Sequence, residues 1–285
     1  MNEVDDKRSA LDLSIIVIAR NERIHIERCI QSAKRLGVQI YVIDSNSADG
    51  TAELASAMGA RVVQCSADSF ADKLNWALTN IEFLTKWVMR VDADELLTDE
   101  LVNGLPEALL HISNEVSGIL LRRRLFFLGK WIRHGDMYPT WTMRIWRKDA
   151  ARCELRDLDE HMVLSWGKAQ TLNLDIIDSP LFNLSKWIDK HNNYSTIEAA
   201  ASASKSEVGL MKPNLFGDAI ERRRWLKLKV FYKFPLFVRP ALYFIYRYFF
   251  MLGFLDGKKG FIFHFMHAFW YRLLVDIKIS EFDKE

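Results

Sequence analysis

The sequence predicts an α/β fold with a mostly parallel sheet and helices on both of its faces. Strand-like and helix-like segments alternate four times between residues 13 and 94. Alternation of this kind is typical of a parallel sheet whose connections are helices. The strand-like segments are continuous apolar runs rich in β-branched residues, a pattern that indicates strands buried on both faces.

Each element carries its own local signal. The strand-like runs are short, whereas the segments between them place apolar residues at helical spacing. Gly37 and Gly59 mark the ends of the first two helices, and Thr98 is a suitable N-cap for a later one. Strands are predicted at 13–20, 38–45, 61–65, 86–94, 117–129 and 140–148, and helices at 21–37, 70–81, 98–112 and 184–205. Residues 47–60 are predicted to form a glycine turn and a short helix that Gly59 closes.

Length and composition allow one large domain, or one domain with an appendage. The chain has 285 residues, of which 49% are apolar, and this is enough for a sizeable core. Its net charge is only +2, but residues 1–110 carry −7 and residues 111–285 carry +9. The basic part is therefore expected to meet an anionic partner, for which nucleic acid and a membrane surface both qualify.

The cysteines and the N-terminal residues indicate a reducing compartment. Cys29, Cys65 and Cys153 have no metal-ligand spacing, and an odd number of cysteines argues against a disulfide framework. We expect three ordinary buried thiols. The first twelve residues are acidic and lack an apolar core, so no signal peptide is expected.

Polar residues follow three of the four predicted parallel strands, at residues 19–22, 44–47 and 92–95. Ligands of open α/β sheets bind beyond the carboxyl ends of the strands, so these clusters should line one rim. Crowded carboxylates repel one another, and a rim that contains them suits a hydroxylated group, a hard cation, or both. No glycine-rich phosphate loop is present, so a bound phosphate would need a metal and a base such as Lys73.

These segments resemble the family 2 glycosyltransferases, which are inverting enzymes with the GT-A fold. The likeness covers about residues 11–165 and consists of "SIIVIARNE", "VIDSNSADGT", "FADKLNWAL" and "VDADELL", in that family's order and spacing. The stretches "FFLGKWIRHGDMYPTWTMRIWRK", "LDEH" and "WIDKHNNYSTIEA" are similar to bacterial enzymes of the lipopolysaccharide core and other envelope polysaccharides.

The resemblance implies a nucleotide-sugar donor, usually a UDP-sugar, and a divalent metal, Mg²⁺ or Mn²⁺. Asp44 would bind the uracil end, and Lys73 would lie near the pyrophosphate. Asp92 and Asp94 would form the Asp-x-Asp motif, with Asp94 the more direct metal ligand. The residues implied at the nucleotide are Ala19, Arg20, Asn21, Glu22, Asp44, Lys73, Asp92 and Ala93.

The reaction that the resemblance implies also needs a base. The acceptor hydroxyl attacks the anomeric carbon while the diphosphate leaves, and a carboxylate must accept the hydroxyl proton. The segment "DLDEHMVL" supplies Asp157, Asp159 and Glu160. A His-Glu pattern in the family aligns Glu160, our first choice, whereas an Asp-Glu pattern favours Asp159.

Simpler explanations stay open for several of these residues. Asp92, Asp94 and above all Glu95 fit a solvated acidic turn before a helix, where acids favour the N-terminal dipole. Asp49-Gly50-Thr51 is typical of a turn and helix cap. Other residues with a structural or solvated alternative are Asp44, Lys73, Arg122, Arg123, Arg124, His134, Asp159, Glu160 and His161.

The C-terminal stretch 231–257 is dense in Phe, Tyr and Leu, but Lys233, Arg239 and Arg247 interrupt it. Its length would span a bilayer, yet each arginine costs about 2.5–3.5 kcal/mol near the bilayer centre. With 14 basic and 7 acidic residues, 211–285 is predicted to lie in the interface of an anionic membrane, its cations on headgroups or acceptor phosphates. A packed helical subdomain and a true span are the alternatives.

The predicted organisation is a tail at 1–12, a GT-A domain at 13–183 and a membrane-associating helical region at 184–285. The predicted function is metal-dependent transfer to a lipid-linked saccharide acceptor, by a peripheral protein at the cytoplasmic face of the bacterial inner membrane. One alternative is a nucleotidyl or sugar-phosphate transferase, although "ARNERIHIE" lacks the usual glycine-rich loop. The other is a nucleic-acid-binding protein, although no nucleic-acid partner is expected because no such motif is visible.

Overall fold

The computed structural model describes the chain in five stretches, which are 11–155, 160–181, 183–203, 213–217 and 219–282. These residues divide into two compact units. The first comprises 11–120, 143–151 and 164–176, and the second comprises 121–142, 152–163 and the residues from 177 onward. The second unit therefore includes segments that precede residue 184, and the sequence-based boundary at 183/184 stays a prediction.

Four parallel strands form the start of the sheet in the first unit, as predicted. They are β1 (Leu13–Ala19), β2 (Gln39–Asp44), β3 (Arg61–Gln64) and β4 (Trp87–Asp92). Their order is β3-β2-β1-β4, and the register pairs Ala19 with Asp44 and Ile18 with Asp92. The register therefore brings the carboxyl ends of β1, β2 and β4 to one edge.

The rest of the sheet departs from the mostly parallel prediction. The strands added to it are β5 (Glu95–Leu97), β6 (Val116–Phe127), β7 (Lys130–Trp131), β8 (Thr140–Arg147) and β11 (Lys168–Asp178). Two further strands, β9 (Ala151–Cys153) and β10 (Met162–Leu164), pair with each other in a separate sheet. The sheet order is β3-β2-β1-β4-β8-β6-β11-β5, and β8 runs antiparallel to β4. Residues 128–139 between β6 and β8 contain turns and β7 but no crossover helix. A connection of this kind does not join parallel neighbours, which need a crossover that is usually a helix.

Helices of the first unit occupy their predicted positions. They are α1 (Arg23–Lys34), α2 (Thr51–Ala57), α3 (Phe70–Asn80) and α4 (Asp99–Leu110). Thr98 is confirmed as an N-cap, because its hydroxyl accepts from Leu101 N at 3.1 Å. Gly37 and Gly59 have φ of 67° and 79°, a region open to glycine, and each follows the end of a helix.

The second unit contains the remaining helices. They are α5 (Leu184–Ala203), α6 (Ala219–Lys229), α7 (Val238–Ile245), α8 (Gly257–His264) and α9 (Tyr271–Phe282). The buried carboxylate of Glu198 links α5 to α6 and α9, since it accepts from Tyr271 at 2.6 Å and Arg272 at 2.8 Å and pairs with Lys227 at 3.0 Å. None of the helices in the described stretches is both long and apolar enough to cross a membrane.

Candidate active site

Two loops at the carboxyl ends of β1 and β2 brace each other. Asn21 N donates to Ser47 Oγ at 2.9 Å, and Asn21 Oδ1 accepts from Ala48 N at 2.9 Å. Glu22 N donates to Thr51 Oγ1 at 2.9 Å. Asn21 has a φ of 56°, which asparagine tolerates better than most residues. These bonds hold the segment Arg20-Asn21-Glu22 in one conformation beside the end of β2.

Asp44 is the last residue of β2 and is buried. Its carboxylate accepts from Ser47 N at 3.0 Å and from Ser47 Oγ at 2.5 Å. The neighbouring Ser45 hydroxyl is also buried, and it has no hydrogen-bond partner among the described residues. An unpaired buried hydroxyl is costly, so this corner of the rim suits a ligand that can bond to it.

The turn Asp49-Gly50-Thr51 next to it has the predicted structural role. Gly50 has a φ of 85° and is the residue before α2. Asp49 Oδ1 accepts from Thr51 N at 3.1 Å, which closes the turn.

Asp92 ends β4 between two arginines. Its Oδ1 accepts from Arg90 Nε at 2.8 Å, and its Oδ2 accepts from Arg90 Nη2 at 3.1 Å and Arg144 Nη2 at 3.0 Å. Burial raises the pKa of Asp92, but Arg144 and Arg90 outweigh that effect and hold the pKa well below its ordinary value. Asp92 therefore stays ionised, with both oxygens already engaged.

Arg144 is a residue that sequence reasoning missed. It lies on β8, is buried, and also pairs with Glu95, whose Oε2 accepts from Asp92 N at 3.0 Å. The solvated-turn explanation is therefore wrong for Glu95, which is only 1% exposed. An arginine between the apolar residues Met143 and Ile145 of a predicted strand was the available signal, because a buried guanidinium needs a polar or carboxylate partner.

Asp94 lies with Ala93 in the short turn that joins β4 to β5. The Asp94 side chain is partly exposed, and its backbone oxygen accepts from Arg28 Nη2 at 3.3 Å. The described residues contain no group of three or more His, Cys, Asp or Glu arranged around a metal. Mg²⁺ often takes only one or two carboxylates and completes its shell with phosphate oxygens and water. The Asp94 turn fits a cation of this kind, bound together with a diphosphate.

Lys73 lies on α3 and is only 7% exposed, so the solvated-lysine explanation is wrong. Burial lowers the pKa of Lys73, and the positive charge of Arg20 lowers it further. Two cations near each other on the same rim are unfavourable unless an anion joins them. The negative charge of Asp68 acts in the opposite direction on the pKa of Lys73.

The three cysteines are free and buried, as predicted. Cys29 Sγ lies 3.6 Å from the backbone oxygen of Asp92, so this thiol packs directly behind the Asp92 turn. Burial raises the pKa of the Cys29 thiol, and the negative charges of Glu95, Asp94 and Asp92 add to that. A thiol with a raised pKa is a poor nucleophile, which fits the structural role expected of it.

The segment with the candidate base belongs to the second unit. Glu160 is partly exposed, whereas Asp157 and Asp159 lie outside the described residues. Just before it, Glu154 is fully buried and accepts from Arg224 on α6 at 2.9 and 2.7 Å, a pair that sequence reasoning missed. Glu154 N also donates to His161 O at 2.9 Å, which fixes the two ends of the segment.

The arginines on β6 and His134 have defined partners in the second unit. Arg122 lies over the Tyr138 ring at 5.7 Å and Arg124 over the Trp131 ring at 5.2 Å, so aromatic rings cover part of both side chains, which stay partly exposed. Arg123 pairs with Asp178 at 3.5 Å. His134 Nδ1 lies 2.8 Å from Asp256 Oδ1, which agrees with a structural role.

The family model of glycosyl transferase family 2 matches residues 14–164, which is more than half of the chain. The chain belongs to this family. A lipopolysaccharide core biosynthesis glycosyltransferase of Rhizobium meliloti, LpsC, is 27% identical over 90% of this chain and 91% of its own. An uncharacterized glycosyltransferase of Rickettsia typhi is 24% identical over 90% of this chain and 83% of its own.

Among solved structures, the glucosyl-3-phosphoglycerate synthase of Mycobacterium tuberculosis, in complex with Mn²⁺, UDP and glucosyl-3-phosphoglycerate, is 26% identical. That match covers 39% of this chain and 44% of the synthase, with a TM-score of 0.35. The family 2 protein is thus a glycosyltransferase similar to lipopolysaccharide core enzymes, which confirms the resemblance read from its motifs. The mixed α/β sheet with flanking helices is consistent with the predicted GT-A fold.

Proposed function

We propose that this glycosyltransferase moves a sugar from a nucleotide-sugar, in particular a UDP-sugar, to a lipid-linked saccharide acceptor, with inversion at the anomeric carbon. The setting is the assembly of lipopolysaccharide or another bacterial envelope polysaccharide, at the cytoplasmic face of the inner membrane. Similarity to LpsC over 90% of the chain supports this setting. The observation that carries the donor assignment is the rim of the first unit, where β2 and β4 flank β1 in parallel register up to Asp44 and Asp92.

Residues at the ends of β1 and β2 are assigned to the nucleoside. Asp44 keeps acceptor capacity beyond its two bonds to Ser47, and the Ser45 hydroxyl can still donate and accept. The edge of a nucleobase offers both donors and acceptors and would match this pair. Residues 19–22, Ala19 to Glu22, flank the nucleoside in a loop that is already braced, so little order would be lost on binding.

Lys73 and Arg20 are assigned to the diphosphate, which would relieve their mutual repulsion. Asp94 is the proposed direct ligand of Mg²⁺ or Mn²⁺. Asp92 and Ala93 border the site, and the two arginines on Asp92 keep its carboxylate ionised and fixed. A bound divalent cation would stabilise the negative charge that grows on the leaving diphosphate.

A carboxylate of the segment 157–160 is proposed as the base. The acceptor hydroxyl oxygen bonds to the anomeric carbon, the bond from that carbon to the diphosphate breaks, and the hydroxyl proton moves to the carboxylate. Glu160 is the first candidate and Asp159 the alternative. The support for both is their distance in sequence after the Asp-x-Asp motif.

The two alternative functions are weaker. A nucleotidyl or sugar-phosphate transferase would need a glycine-rich basic loop after β1, where this chain has "ARNERIHIE". A nucleic-acid-binding protein would need the cations of the C-terminal stretch on its surface. Arg239 and Arg247 are both buried, so that explanation loses two of the charges on which it depended.

A panel of nucleotide-sugars tests the proposal. The Tm of the protein is measured with each compound in Mn²⁺ and again in EDTA. We expect a UDP-sugar to raise Tm with Mn²⁺, because a ligand that binds only the folded state stabilises it. Most of this stabilisation should disappear in EDTA. Stabilisation by single-stranded DNA, with no effect of any nucleotide-sugar, would contradict the proposal.

A further inference from the structure

The C-terminal helices expose a set of large apolar side chains that we call the apolar face. Each member is at least 40% exposed. The members are Phe234, Phe237, Val238, Leu242, Ile245, Tyr246, Phe249, Phe250, Leu252, Phe254, Leu255, Phe261 and Phe265. They lie in the segment just before α7, on α7, on the π-helical turn Tyr246–Phe250, on the connection that follows it, on α8 and directly after α8.

Ring contacts make this face continuous. Tyr248 contacts Phe249, Phe254 and Phe261, with centroids 5.2–6.3 Å apart. Phe261 stacks on Phe265 at 6.1 Å. The exposed rings of the first helical stretch and those of α8 therefore form one surface rather than scattered single residues.

In this region the apolar face of the helix is exposed and its charged positions are buried. Val238, Leu242, Ile245 and Phe249 recur at the spacing of one helical face, and that face is the exposed one. A helix that faces water normally buries its apolar stripe and exposes its charges. Here the two arginines of the same stretch, Arg239 and Arg247, point into the protein, and the apolar stripe is left on the surface.

Both arginines of the stretch are withdrawn from the surface. Arg239 is 4% exposed, and its Nε donates to Asp276 Oδ1 at 2.7 Å. Arg247 is 2% exposed, and its Nε donates to Gly135 O at 2.7 Å. The prediction that Arg239 and Arg247 contact lipid headgroups is therefore wrong. Because both side chains are buried in the protein, insertion of the apolar face would not carry either charge into the bilayer.

Within residues 222–275 the charges that reach the surface are all positive, and the exposed Asp136 of an earlier segment pairs with Arg223 at 3.3 Å. Between residues 222 and 275 the sequence has a single acid, Asp256. That acid is buried and accepts from His134 N at 2.8 Å and Arg133 N at 3.0 Å. The exposed cations of this stretch are Arg222, Lys229, Lys233, Lys258 and Lys259.

We propose that the apolar face inserts into the boundary between headgroups and acyl chains of an anionic bilayer, with Lys233, Lys258 and Lys259 at the level of the headgroups. Aromatic and aliphatic side chains with lysines beside them are typical of monotopic helices at this depth. A second copy of the chain fits less well, because a two-fold contact would bring the same lysines together, and the exposed acid near Tyr246, Asp136, is already paired with Arg223 at 3.3 Å.

This mode of binding differs from a purely electrostatic anchor. Salt screens the lysines but does not weaken the burial of apolar surface. The protein should therefore stay on anionic vesicles in about 1 M salt, where the screening length is about 3 Å. Neutral vesicles should bind it more weakly, because the attraction of the lysines to the headgroups is then missing.

The test is flotation with phosphatidylcholine vesicles, with or without phosphatidylglycerol, across a salt series. The variant Phe250→Glu/Leu255→Glu changes two side chains that are 74% and 53% exposed. Its bound fraction should fall at least about ten-fold, since a charge at this depth opposes insertion. The control Phe216→Glu changes a side chain that is 93% exposed and lies outside the apolar face, and its binding should be unchanged.

Three results with vesicles would overturn the proposal. They are no binding of the wild-type protein to either vesicle, complete release at high salt, and equal binding of the double variant. A wild-type dimer in solution that the double variant converts to a monomer would assign the apolar face to self-association instead. The inference builds on the proposed lipid-linked acceptor, but the vesicles contain no donor or acceptor. Donor-induced stabilisation should be equal in all variants, so failure of the anchor and failure of the proposed function are distinguishable.

Discussion

Arg144 donates to Asp92 at 3.0 Å from β8, the strand that runs antiparallel beside the one Asp92 ends. The same guanidinium also pairs with the buried Glu95. One side chain thus holds two of the three acids of the Asp92–Glu95 turn, and the third, Asp94, is left partly exposed at the rim. The crowding of acids in "VDADELL" is therefore balanced by a cation 52 residues later in the chain.

Replacing Arg144 should lower the free energy of unfolding. Arg144→Met keeps the volume but leaves Glu95 buried without its ion pair, and breaking a buried pair in this way typically costs about 3–5 kcal/mol. The free energy of unfolding from urea titration measures the loss. Arg35→Met is the matched control, because Arg35 pairs with Asp99 at the surface, where such pairs contribute about 0–1 kcal/mol. Equal losses in the two variants would contradict the structural role of Arg144.

Replacing Lys73 should raise the free energy of unfolding and lower the affinity for UDP. Its pKa is lowered in the folded protein, so the unfolded chain binds more protons and stability rises with pH up to the ordinary lysine value of 10.5. Lys73→Met should be more stable than the wild-type protein at pH 7, by a margin that shrinks as the pH approaches 10.5. It should also bind UDP more weakly. The measurements are urea titrations at several pH values and calorimetric titration of UDP.

Lys34→Met provides the comparison for that variant, since Lys34 is an exposed lysine at the end of α1. We expect neither its stability nor its UDP affinity to change beyond about 0.5 kcal/mol. A Lys73→Met protein that bound UDP as well as the wild-type protein would remove Lys73 from the phosphate site.

Local sequence signals were sufficient for the parallel half of the fold. Short β-branched runs, helix stops at Gly37 and Gly59 and the cap at Thr98 are all encoded within a few residues, and each was found where it was predicted. Polar residues at the strand ends could also be assigned to one rim, because parallel strands in register must end together.

Long-range pairing could not be predicted in the same way. The partners of Arg144 and Arg239 lie 49 and 37 residues away, and no local pattern identifies them. The sequence showed Arg239 and Arg247 as interruptions of an apolar stretch, whereas the structure turns both inward and leaves the apolar residues outside. The direction in which a helix turns its charged face depends on what it packs against, and composition does not contain that information.

If Asp94 binds the metal, its replacement should weaken UDP binding mainly when the metal is present. Asp94→Ala should abolish transfer and should weaken UDP binding mainly when Mn²⁺ is present, since without metal the carboxylate has no diphosphate-bound cation to hold. Calorimetric titration of UDP with Mn²⁺ and with EDTA measures the difference. Asp99→Ala, which removes an exposed acid nearby in the sequence, is the control and should bind UDP normally. Full activity of the wild-type protein in EDTA would show that the metal role is wrong.

The last prediction concerns the proton acceptor. Glu160→Gln should lower turnover by about 10²–10⁴-fold, the usual contribution of a positioned base, because the amide cannot take the acceptor proton. If Asp159 is the base, Asp159→Asn should have that effect and Glu160→Gln should not. In either case, UDP affinity should stay within about two-fold of the wild-type value, since neither carboxylate is assigned to the donor. Single-turnover transfer and UDP titration on both variants separate the two steps.

Asp149→Asn is the control, because Asp149 is an exposed acid in the turn after β8, outside the segment 157–160. Wild-type turnover in both Glu160→Gln and Asp159→Asn would remove this segment from the mechanism, whereas a parallel loss of UDP affinity would indicate damage to the fold rather than loss of a base.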